Sequence, residues 1–312
     1  MNSLYGQDNP YKLRIVEYNV ENLFDTVDNP STEDDEFTIE HFRRWSYGRY
    51  YHKLDQIAKV LVSIFPHCYP DIICLCEIEN RGVLSDLVKH PLLYPAHYHI
   101  VHHDGPDPRG IDVAVLYRGD HLMVDSLRFV PNGDKEKSFR EVVNIAFTWH
   151  SLSFYLWGCH LPSNYSGVRK SQKERGVCIA NISHAMSAVA DSLPHLWMGD
   201  FNTETQSKNL QALSVHMNET APFVQLIEKN DDTPGTLRFR EFWFLYDMIF
   251  LWKKLPQGVS IVDKGIYFPS FLLQKEEKYG GVKPYRTFVG YKYQRDGFSD
   301  HLPVYVVLEQ KY

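Results

Sequence analysis

The sequence has few cysteines, and their spacing is uninformative. Only 5 of 312 residues are Cys, an odd number without the recurrent pairs of a structural metal site. Cys74 and Cys76 lie one residue apart in an apolar run, so their thiols share one face of a strand and are too close along the chain to bridge easily. We therefore expect buried, reduced thiols rather than a disulfide framework or a cysteine metal centre.

Long apolar segments are also missing. No stretch has the roughly 20 apolar residues that a membrane-spanning helix needs. The N-terminal MNSLYGQDNP has neither the basic start nor the apolar core of a signal peptide. We expect residues 1–10 to be a disordered tail or the remnant of a signal peptide. A cytoplasmic location is the first expectation, and export is the alternative.

Long basic runs are absent as well, and the net charge is −6. This argues weakly against strong nonspecific binding to nucleic acid. It does not exclude a nucleic-acid substrate, because a local basic groove or a metal ion can supply positive charge at a site.

Strand-like segments outnumber helical ones in a chain that is 44% hydrophobic and 14% aromatic. Apolar runs or alternation predict strands at LRIVEYNV, DIICLCEIE, GIDVAVLYR, EVVNIAFTWH, SLSFYLWGCH, HLWMGDFN, YDMIFLW, VSIVDKGIYF and VYVVLE. Helical spacing predicts helices over residues 50–65 and 171–189. The pattern favours a layered α/β protein with sheet packed on sheet and helices outside. No Pro/Gly/Ser linker divides the chain, so we expect one domain over residues 1–312 and a monomer.

Polar, chemically capable side chains recur where these strands begin or end. Each one alone has an ordinary structural explanation as a turn former, a cap or a solvent-facing terminus. Their recurrence points to a site assembled at the strand ends of a rigid scaffold. The set is Asn19, Glu77, His160, Asp200, Asn202, Asp247, Asp300 and His301.

The local motifs around these residues resemble one superfamily. The segments EYNVENLF, ICLCEIEN, GIDVAVLYR, GCHLPS, MGDFNTE, LYDMIFL and FSDHLPV run in its order from Asn19 to His301. They are similar to the endonuclease/exonuclease/phosphatase superfamily, which includes deoxyribonuclease I, exonuclease III-type apurinic endonucleases, sphingomyelinases and inositol polyphosphate phosphatases. The resemblance implies a four-layer sandwich of two packed β-sheets flanked by helices, and metal-dependent hydrolysis of a phosphoester.

The resemblance also implies a metal site. Glu77 would hold Mg²⁺ or Mn²⁺, which prefer hard oxygen ligands. Asn19 and Asp300 would complete or support the coordination, the asparagine through its amide oxygen.

The resemblance assigns the reaction itself to the other residues of these motifs. Asp200 would accept a proton from the attacking water or orient it, and Asn202 would fix that water or donate to a phosphoryl oxygen. His301 would contact the phosphate, held by the carboxylate of Asp247. His160 would be a second donor to the phosphate.

A few further residues complete the expectations. Arg109 and Arg286 are candidate substrate contacts, and Asp112 is expected to be structural, bonded to nearby backbone. The basic and aromatic stretch RRWSYGRYYHK suits base stacking and phosphate contact. Its alternative, which we favour slightly, is that these aromatics begin the following helix and pack beneath it.

The motifs restrict the substrate by exclusion. Inositol polyphosphate 5-phosphatases carry Trp-Cys-Asp-Arg where this chain has LYDM, which argues against that subfamily. A phosphodiesterase or nuclease is the first expectation, with a phosphoester substrate that includes nucleic acid as a candidate. A small-molecule or lipid-headgroup phosphatase is the alternative. A non-catalytic binding module ranks third, because none of the principal acid, amide or imidazole positions is replaced.

Overall fold

The computed structural model describes residues 9–164, 167–189, 192–230 and 233–311. Within them the strands, numbered in chain order, are β1 (Lys12–Leu23), β2 (Ile72–Ile78), β3 (Tyr98–Val101), β4 (Asp112–Arg118), β5 (Met123–Gly133), β6 (Ser138–Trp149), β7 (Leu152–His160), β8 (His195–Asp200), β9 (Phe223–Gln225), β10 (Leu237–Phe239), β11 (Phe242–Phe244), β12 (Asp247–Trp252), β13 (Val259–Ile266), β14 (Leu273–Lys275), β15 (Val282–Pro284), β16 (Phe288–Val289), β17 (Lys292–Tyr293) and β18 (Val304–Gln310). The helices are α1 (Tyr47–Ser63), α2 (Arg81–Lys89), α3 (Val168–Ser187) and α4 (Lys208–Thr220). Short 3-10 turns lie at Asp35–Phe37, Tyr94–Ala96 and Ser270–Leu272.

Two six-stranded sheets form the centre of the molecule. The first has the order β13-β18-β1-β2-β4-β3, and the second has the order β5-β6-β7-β8-β12-β9. Each sheet contains one parallel pair near its middle, β1 with β2 and β7 with β8, and its other pairs are antiparallel. Each parallel pair is joined by a connection that contains a helix, α1 between β1 and β2 and α3 between β7 and β8.

The sheets pack face to face, with helices on the outside. β1, β2 and β4 of the first sheet lie against β6, β7, β8 and β12 of the second. Helices α1 and α2 contact the first sheet, whereas α3 and α4 contact the second. The predicted α/β four-layer sandwich is therefore confirmed. The core between the sheets explains why β2 and β8 read as continuous apolar runs rather than as alternating ones.

Helix prediction was accurate where the buried face was long. The expected helices at 50–65 and 171–189 correspond to α1 and α3. The prediction missed α2 and α4, although each begins at an asparagine or serine cap, Asn80 and Ser207, whose side chain accepts a backbone N–H. None of the helices within the described residues has both the length and the hydropathy to cross a membrane.

The structure settles two smaller expectations. All five cysteines, each within the described residues, are free thiols; four are buried, while Cys68 is only partly buried. The RRWSYGRYYHK stretch is divided: Trp45 and Tyr50 are buried in the core, whereas Tyr47 and Tyr51 are exposed. The favoured packing explanation therefore holds for half of its aromatic side chains.

Candidate active site

Three nitrogen-bearing side chains converge on one carboxylate oxygen. Nδ2 of Asn19 donates to Oδ2 of Asp200 at 3.0 Å. Nε2 of His160 lies 3.5 Å from the same oxygen, and Nε2 of His301 lies 3.8 Å from it. All four side chains are buried. Asp200 is therefore the centre of the group that the sequence placed at the strand ends.

Strand register brings these residues together. The parallel pairing of β7 with β8 sets His160 opposite Asp200, the last residue of each strand. The antiparallel pairing of β12 with β8 sets Asp247 opposite Asp200 on the other side. Strand β1, which carries Asn19, packs against β8 from the first sheet. The site thus lies where strands of the two sheets meet, at the ends of β7 and β8.

His301 is held by a carboxylate on β12. Its Nδ1 lies 2.7 Å from Oδ2 of Asp247, which is fully buried. The backbone N–H of Asp247 donates to Oγ1 of Thr236, and the backbone N–H of His301 donates to Oγ of Ser299. The backbones of Asp247 and His301 are thus each held by a further hydrogen bond, in addition to the one between their side chains.

The electrostatics of the three central groups differ. Burial, reinforced by Asp247, raises the pKa of Asp200 to about 7, although the charge of His301 opposes the shift. Burial disfavours the charged form of His301, but the carboxylates of Asp247 and Asp200 raise its pKa well above its ordinary value. Burial, together with the charges of Arg140 and Arg109, lowers the pKa of His160 well below its ordinary value. At neutral pH the site therefore combines an imidazolium with a neutral imidazole.

Glu77 lies at an irregularity of β2. The pairing of β2 with β4 shifts register between Cys76 and Ile78, and Glu77 between them has a φ of 67°. A non-glycine residue in this region is strained, and such strain is often found at functional sites. Oε2 of Glu77 accepts the backbone N–H of Asn22 at 2.8 Å, and Oε1 accepts from Asn19 at 3.4 Å.

The amide of Asn19 has a defined orientation. Its nitrogen donates to the carboxylates of Glu77 and Asp200, while its oxygen accepts the backbone N–H of Glu21 at 3.0 Å. The amide therefore turns its nitrogen toward the two carboxylates, and not the oxygen expected of a metal ligand. In this arrangement Asn19 links Glu77 to Asp200.

Asp300 is paired with Arg286, which lies between β15 and β16. Oδ2 of Asp300 lies 3.1 Å from Nη2 of Arg286, which also contacts Oε1 of Glu21 at 2.9 Å. Burial opposes ionisation of Asp300, but the charges of Arg286, His301 and Lys53 lower its pKa. Arg286, expected to contact substrate, pairs with Asp300 through part of its guanidinium, and its side chain remains 42% exposed.

The other predicted residues line the edges of this group. Asn202 has a φ of 49°, its N–H donates to Oδ1 of Asp200, and its Nδ2 donates to the carbonyl of Leu161. Arg109 is 40% exposed and its Nε lies 3.4 Å from Asp107. It lines a cleft of about 200 Å³ together with Arg140 and other residues of neighbouring loops.

The comparison with known families identifies the chain. The family model described as "Endonuclease/Exonuclease/phosphatase family" matches residues 14–310. The chain belongs to this family. Family members are generally phosphoester hydrolases, and the grouping of Asn19, Glu77, Asp200 and His301 lies within the matched range. No curated protein sequence matches.

Solved structures of this family share the fold at low identity. A Bacteroides thetaiotaomicron family protein has 15% identity and a TM-score of 0.60, covering 96% of this chain and 95% of its own. A D. rerio TDP2 complexed with single-strand DNA product has 16% identity and a TM-score of 0.60, covering 96% and 99%. The mannosyl-6-phosphatase of B. thetaiotaomicron VPI-5482 has 16% identity and a TM-score of 0.58, covering 95% and 99%. Such low identity establishes the fold alone.

The donor set of this endonuclease/exonuclease/phosphatase chain fits a hard divalent ion. Glu77 is a partly exposed carboxylate whose two oxygens each accept one of the two hydrogen bonds described above. Asp300 is a second partly exposed carboxylate, 28% exposed in its side chain. Carboxylate oxygens with room for water suit Mg²⁺ or Mn²⁺. The fit therefore rests on Glu77 and Asp300 rather than on the amide oxygen of Asn19.

Sequence reasoning missed four buried charged residues that support the site. Arg140 donates from Nε to the carbonyl of His160 and from Nη2 to that of Leu161, both at 2.9 Å, and also pairs with Asp107. It thereby fixes the strand end that carries His160. Its position just before the predicted strand EVVNIAFTWH gave no sign of this role, because the partners come from other segments.

The other three lie on or against β1. Glu17 is fully buried, and burial with the charges of Asp247 and Asp200 raises its pKa well above its ordinary value. Glu21 accepts from Arg286 and from the N–H of Thr287. Lys53 of α1 donates to Thr287 and Phe298, and burial lowers its pKa to about 8. Alternation along RIVEYNV does place Glu17 on the face of Asn19, a signal that was available.

Proposed function

We propose that this chain is a divalent-metal-dependent phosphodiesterase whose substrates include nucleic acid. The observation that carries the proposal is the juxtaposition of a buried Asp247–His301 pair with Asp200, whose Oδ2 lies 3.8 Å from Nε2 of His301. A protonated donor next to a carboxylate with a pKa of about 7 can serve both charge stabilisation and proton transfer at neutral pH.

His301 supplies the positive donor. Because Asp247 accepts a hydrogen bond from Nδ1–H, the Nε2–H is available to donate to a phosphoryl oxygen of the substrate. The raised pKa keeps the ring protonated, so its charge is present before the reaction begins. Negative charge that builds on the phosphoryl oxygens is thereby stabilised without rearrangement of the protein.

Asp200 acts on the attacking water. Its Oδ1 is fixed by the N–H of Asn202, and its Oδ2 by Nδ2 of Asn19. A carboxylate held from both sides, with a pKa of about 7, can accept a proton from water at neutral pH. Asn202 holds its neighbouring turn in place through the carbonyl of Leu161.

Glu77 and Asp300 would hold the divalent ion, Mg²⁺ or Mn²⁺. When bound, such an ion stabilises the charge of the phosphoryl group and of the leaving oxygen. Asn19 donates hydrogen bonds to both the metal-binding Glu77 and the water-activating Asp200, and so holds these two carboxylates in fixed relative positions.

Two considerations support a diester over a monoester. The LYDM segment lacks the signature of the inositol polyphosphate 5-phosphatases. The D. rerio TDP2 of similar fold was complexed with single-strand DNA product, so this fold accommodates a nucleic-acid strand in another protein. The B. thetaiotaomicron mannosyl-6-phosphatase of similar fold keeps a sugar phosphate as the alternative substrate class.

The test is hydrolysis of three substrates with the metal varied. Purified protein is stripped of metal and assayed with Mg²⁺ or Mn²⁺ on bis(p-nitrophenyl) phosphate, p-nitrophenyl phosphate and single-stranded DNA. We expect metal-dependent cleavage of the diesters that exceeds cleavage of the monoester. His301→Ala and Asp200→Asn should each reduce the rate by about 10²-fold or more.

The outcomes separate the candidate functions. Preference for the monoester would replace the phosphodiesterase with the small-molecule phosphatase. Folded protein that cleaves none of the three substrates with either metal would overturn the proposal. Full activity of His301→Ala would leave the substrate class standing but remove the proposed mechanism.

A further inference from the structure

A second cluster of metal-type side chains lies outside the residues used above. His102 and Asp104 belong to the loop between β3 and β4, and Asp112 is the first residue of β4. One ligand atom from each of the three falls within 4.8 Å of the others. Nε2 of His102 lies 3.6 Å from Oδ2 of Asp112, and Nδ1 lies 3.8 Å from Oδ1 of Asp104.

The histidine nitrogen that faces Asp112 is buried without a hydrogen bond. The His102 side chain is only 2% exposed, and its Nε2 has no hydrogen-bond partner among the described residues. A buried polar atom without a hydrogen bond costs free energy, typically about 1–3 kcal/mol. A bound cation at this point would satisfy the Nε2 lone pair and the facing carboxylate together.

The loop is shaped around the Asp112 carboxylate. The N–H of Gly105 donates to both oxygens, at 3.1 and 3.2 Å. A Cβ at this glycine would stand 2.6 Å from Oδ1 of Asp112, so only glycine allows the backbone to approach this closely. The expectation of backbone bonding by Asp112 agrees with this contact, but the contact leaves Oδ2 facing His102.

We propose that His102, Asp104 and Asp112 form a binding site for a zinc-class transition-metal ion, with one imidazole nitrogen and two carboxylate oxygens as ligands. Imidazole favours zinc and its neighbours over Mg²⁺ and Ca²⁺, which take oxygen ligands. Tetrahedral ligands about 2.0–2.1 Å from zinc stand roughly 3.3 Å apart, close to the observed separation of Nε2 and Oδ2. Asp104 is 80% exposed, and its carboxylate, which lies 3.8 Å from Nδ1 of His102, would complete the ligand set from the solvent side.

The site is separate from the proposed catalytic residues. It needs no phosphoester and no activity of the enzyme. Its ion would join the loop after β3 to the first residue of β4, and thus fasten the strand that pairs with β2 beside Glu77. Failure of the phosphodiesterase proposal would leave this site untouched, and the converse also holds.

The experiment measures metal binding, not turnover. Full-length metal-free protein is titrated with Zn²⁺ by calorimetry and with Co²⁺ by visible absorption, in four variants. Asp104→Asn is paired with Asp120→Asn, another exposed aspartate, which is 58% exposed. His102→Gln is paired with His103→Gln, whose side chain is 55% exposed and contacts Glu141.

We expect Asp104→Asn to weaken one class of zinc sites at least tenfold, and His102→Gln to remove that class and the matching Co²⁺ spectrum. The two control variants should bind like the unmodified chain. Because Asp104 is exposed, its variant decides the question even if His102→Gln fails to fold. Unchanged stoichiometry and affinity in Asp104→Asn would overturn the proposal.

Discussion

Nδ1 of His301, which precedes β18, lies 2.7 Å from Oδ2 of Asp247, the first residue of β12. Both side chains are buried. The second oxygen of Asp247, Oδ1, has no hydrogen-bond partner among the described residues. Within the described residues, the side-chain hydrogen bond of this carboxylate is therefore the one to His301. That contact fixes the orientation of the His301 ring and leaves Nε2 toward Asp200.

Replacement of Asp247 tests this relationship. Asp247→Asn keeps the size of the side chain but removes the charge that stabilises the imidazolium, so kcat should fall by about 10²–10⁴-fold. Steady-state hydrolysis of bis(p-nitrophenyl) phosphate measures the change. Asp263→Asn, at an exposed carboxylate on β13, is the control and should keep full activity. Near-normal kcat in Asp247→Asn would mean that the pair is structural only.

The pH dependence of the unmodified chain follows from two opposite requirements. Asp200 must be deprotonated, and its pKa is raised to about 7, so kcat/KM should rise as the pH passes through about 7. His301 must be protonated, and its raised pKa delays the loss of its proton to a pH well above the ordinary value for histidine. The profile should be bell-shaped, with both limbs belonging to the coupled pair.

Asp247→Asn extends the same measurement. Without the carboxylate that raises the pKa of His301, the alkaline limb should move to lower pH. A profile that stays flat from pH 6 to pH 9 in the unmodified chain would contradict the role assigned to Asp200.

Most of the principal site residues were predictable because they are polar residues at or next to the end of an apolar strand; Asn19 is an exception, since β1 continues to Leu23. Asp200 and His160 end strands that read as buried, and neighbouring strands of one sheet end at the same edge. Sequence periodicity predicts the strand, and the end of the periodic pattern predicts where the polar residue lies. The partner of His301 followed from the resemblance, because pairing across the sheets is not encoded in local pattern.

The supporting charges could not be predicted in the same way. Arg140 and Lys53 look like ordinary surface cations in the sequence, since their partners, which include main-chain carbonyls, come from distant segments of the chain. The polar stretch before Asp300, residues 274–297, contains the short strands β15, β16 and β17 and places Arg286 against Glu21 and Asp300. Such contacts depend on tertiary packing that overrides local propensity.

Arg140 should matter for stability. It is buried and binds Asp107 and two carbonyls, so Arg140→Ala leaves the buried carboxylate of Asp107 without its buried cationic partner and removes a donor from each carbonyl. The free energy of unfolding should fall by about 3–5 kcal/mol. Urea denaturation measures the loss, and Arg128→Ala at an exposed position of β5 serves as control. A loss below about 1 kcal/mol, within the range of surface ion pairs, would show that the contacts of Arg140 are not needed for stability.

Glu17 predicts a pH-dependent difference in stability. Its folded-state pKa lies well above the ordinary value, so its contribution is fully present below the unfolded pKa of about 4.3 and is lost as the pH rises toward the folded pKa. Glu17→Gln mimics the protonated form and does not titrate. The variant should therefore gain stability relative to the unmodified chain between pH 5 and pH 8, as measured by urea denaturation. The exposed Glu136→Gln is the control, and a gap that shrinks with pH would contradict the assignment.

Metal dependence separates Glu77 from Asp300. Chelation with EDTA should abolish hydrolysis, and Mg²⁺ or Mn²⁺ should restore it. Glu77 has one weak and one short hydrogen bond and no cationic partner closer than 4 Å among the described residues, so its charge is available to the ion. Asp300 shares its charge with Arg286 at 3.1 Å. Glu77→Gln should therefore raise the Mg²⁺ concentration for half-maximal activity more than Asp300→Asn does, and the reverse order would assign the principal ligand to Asp300.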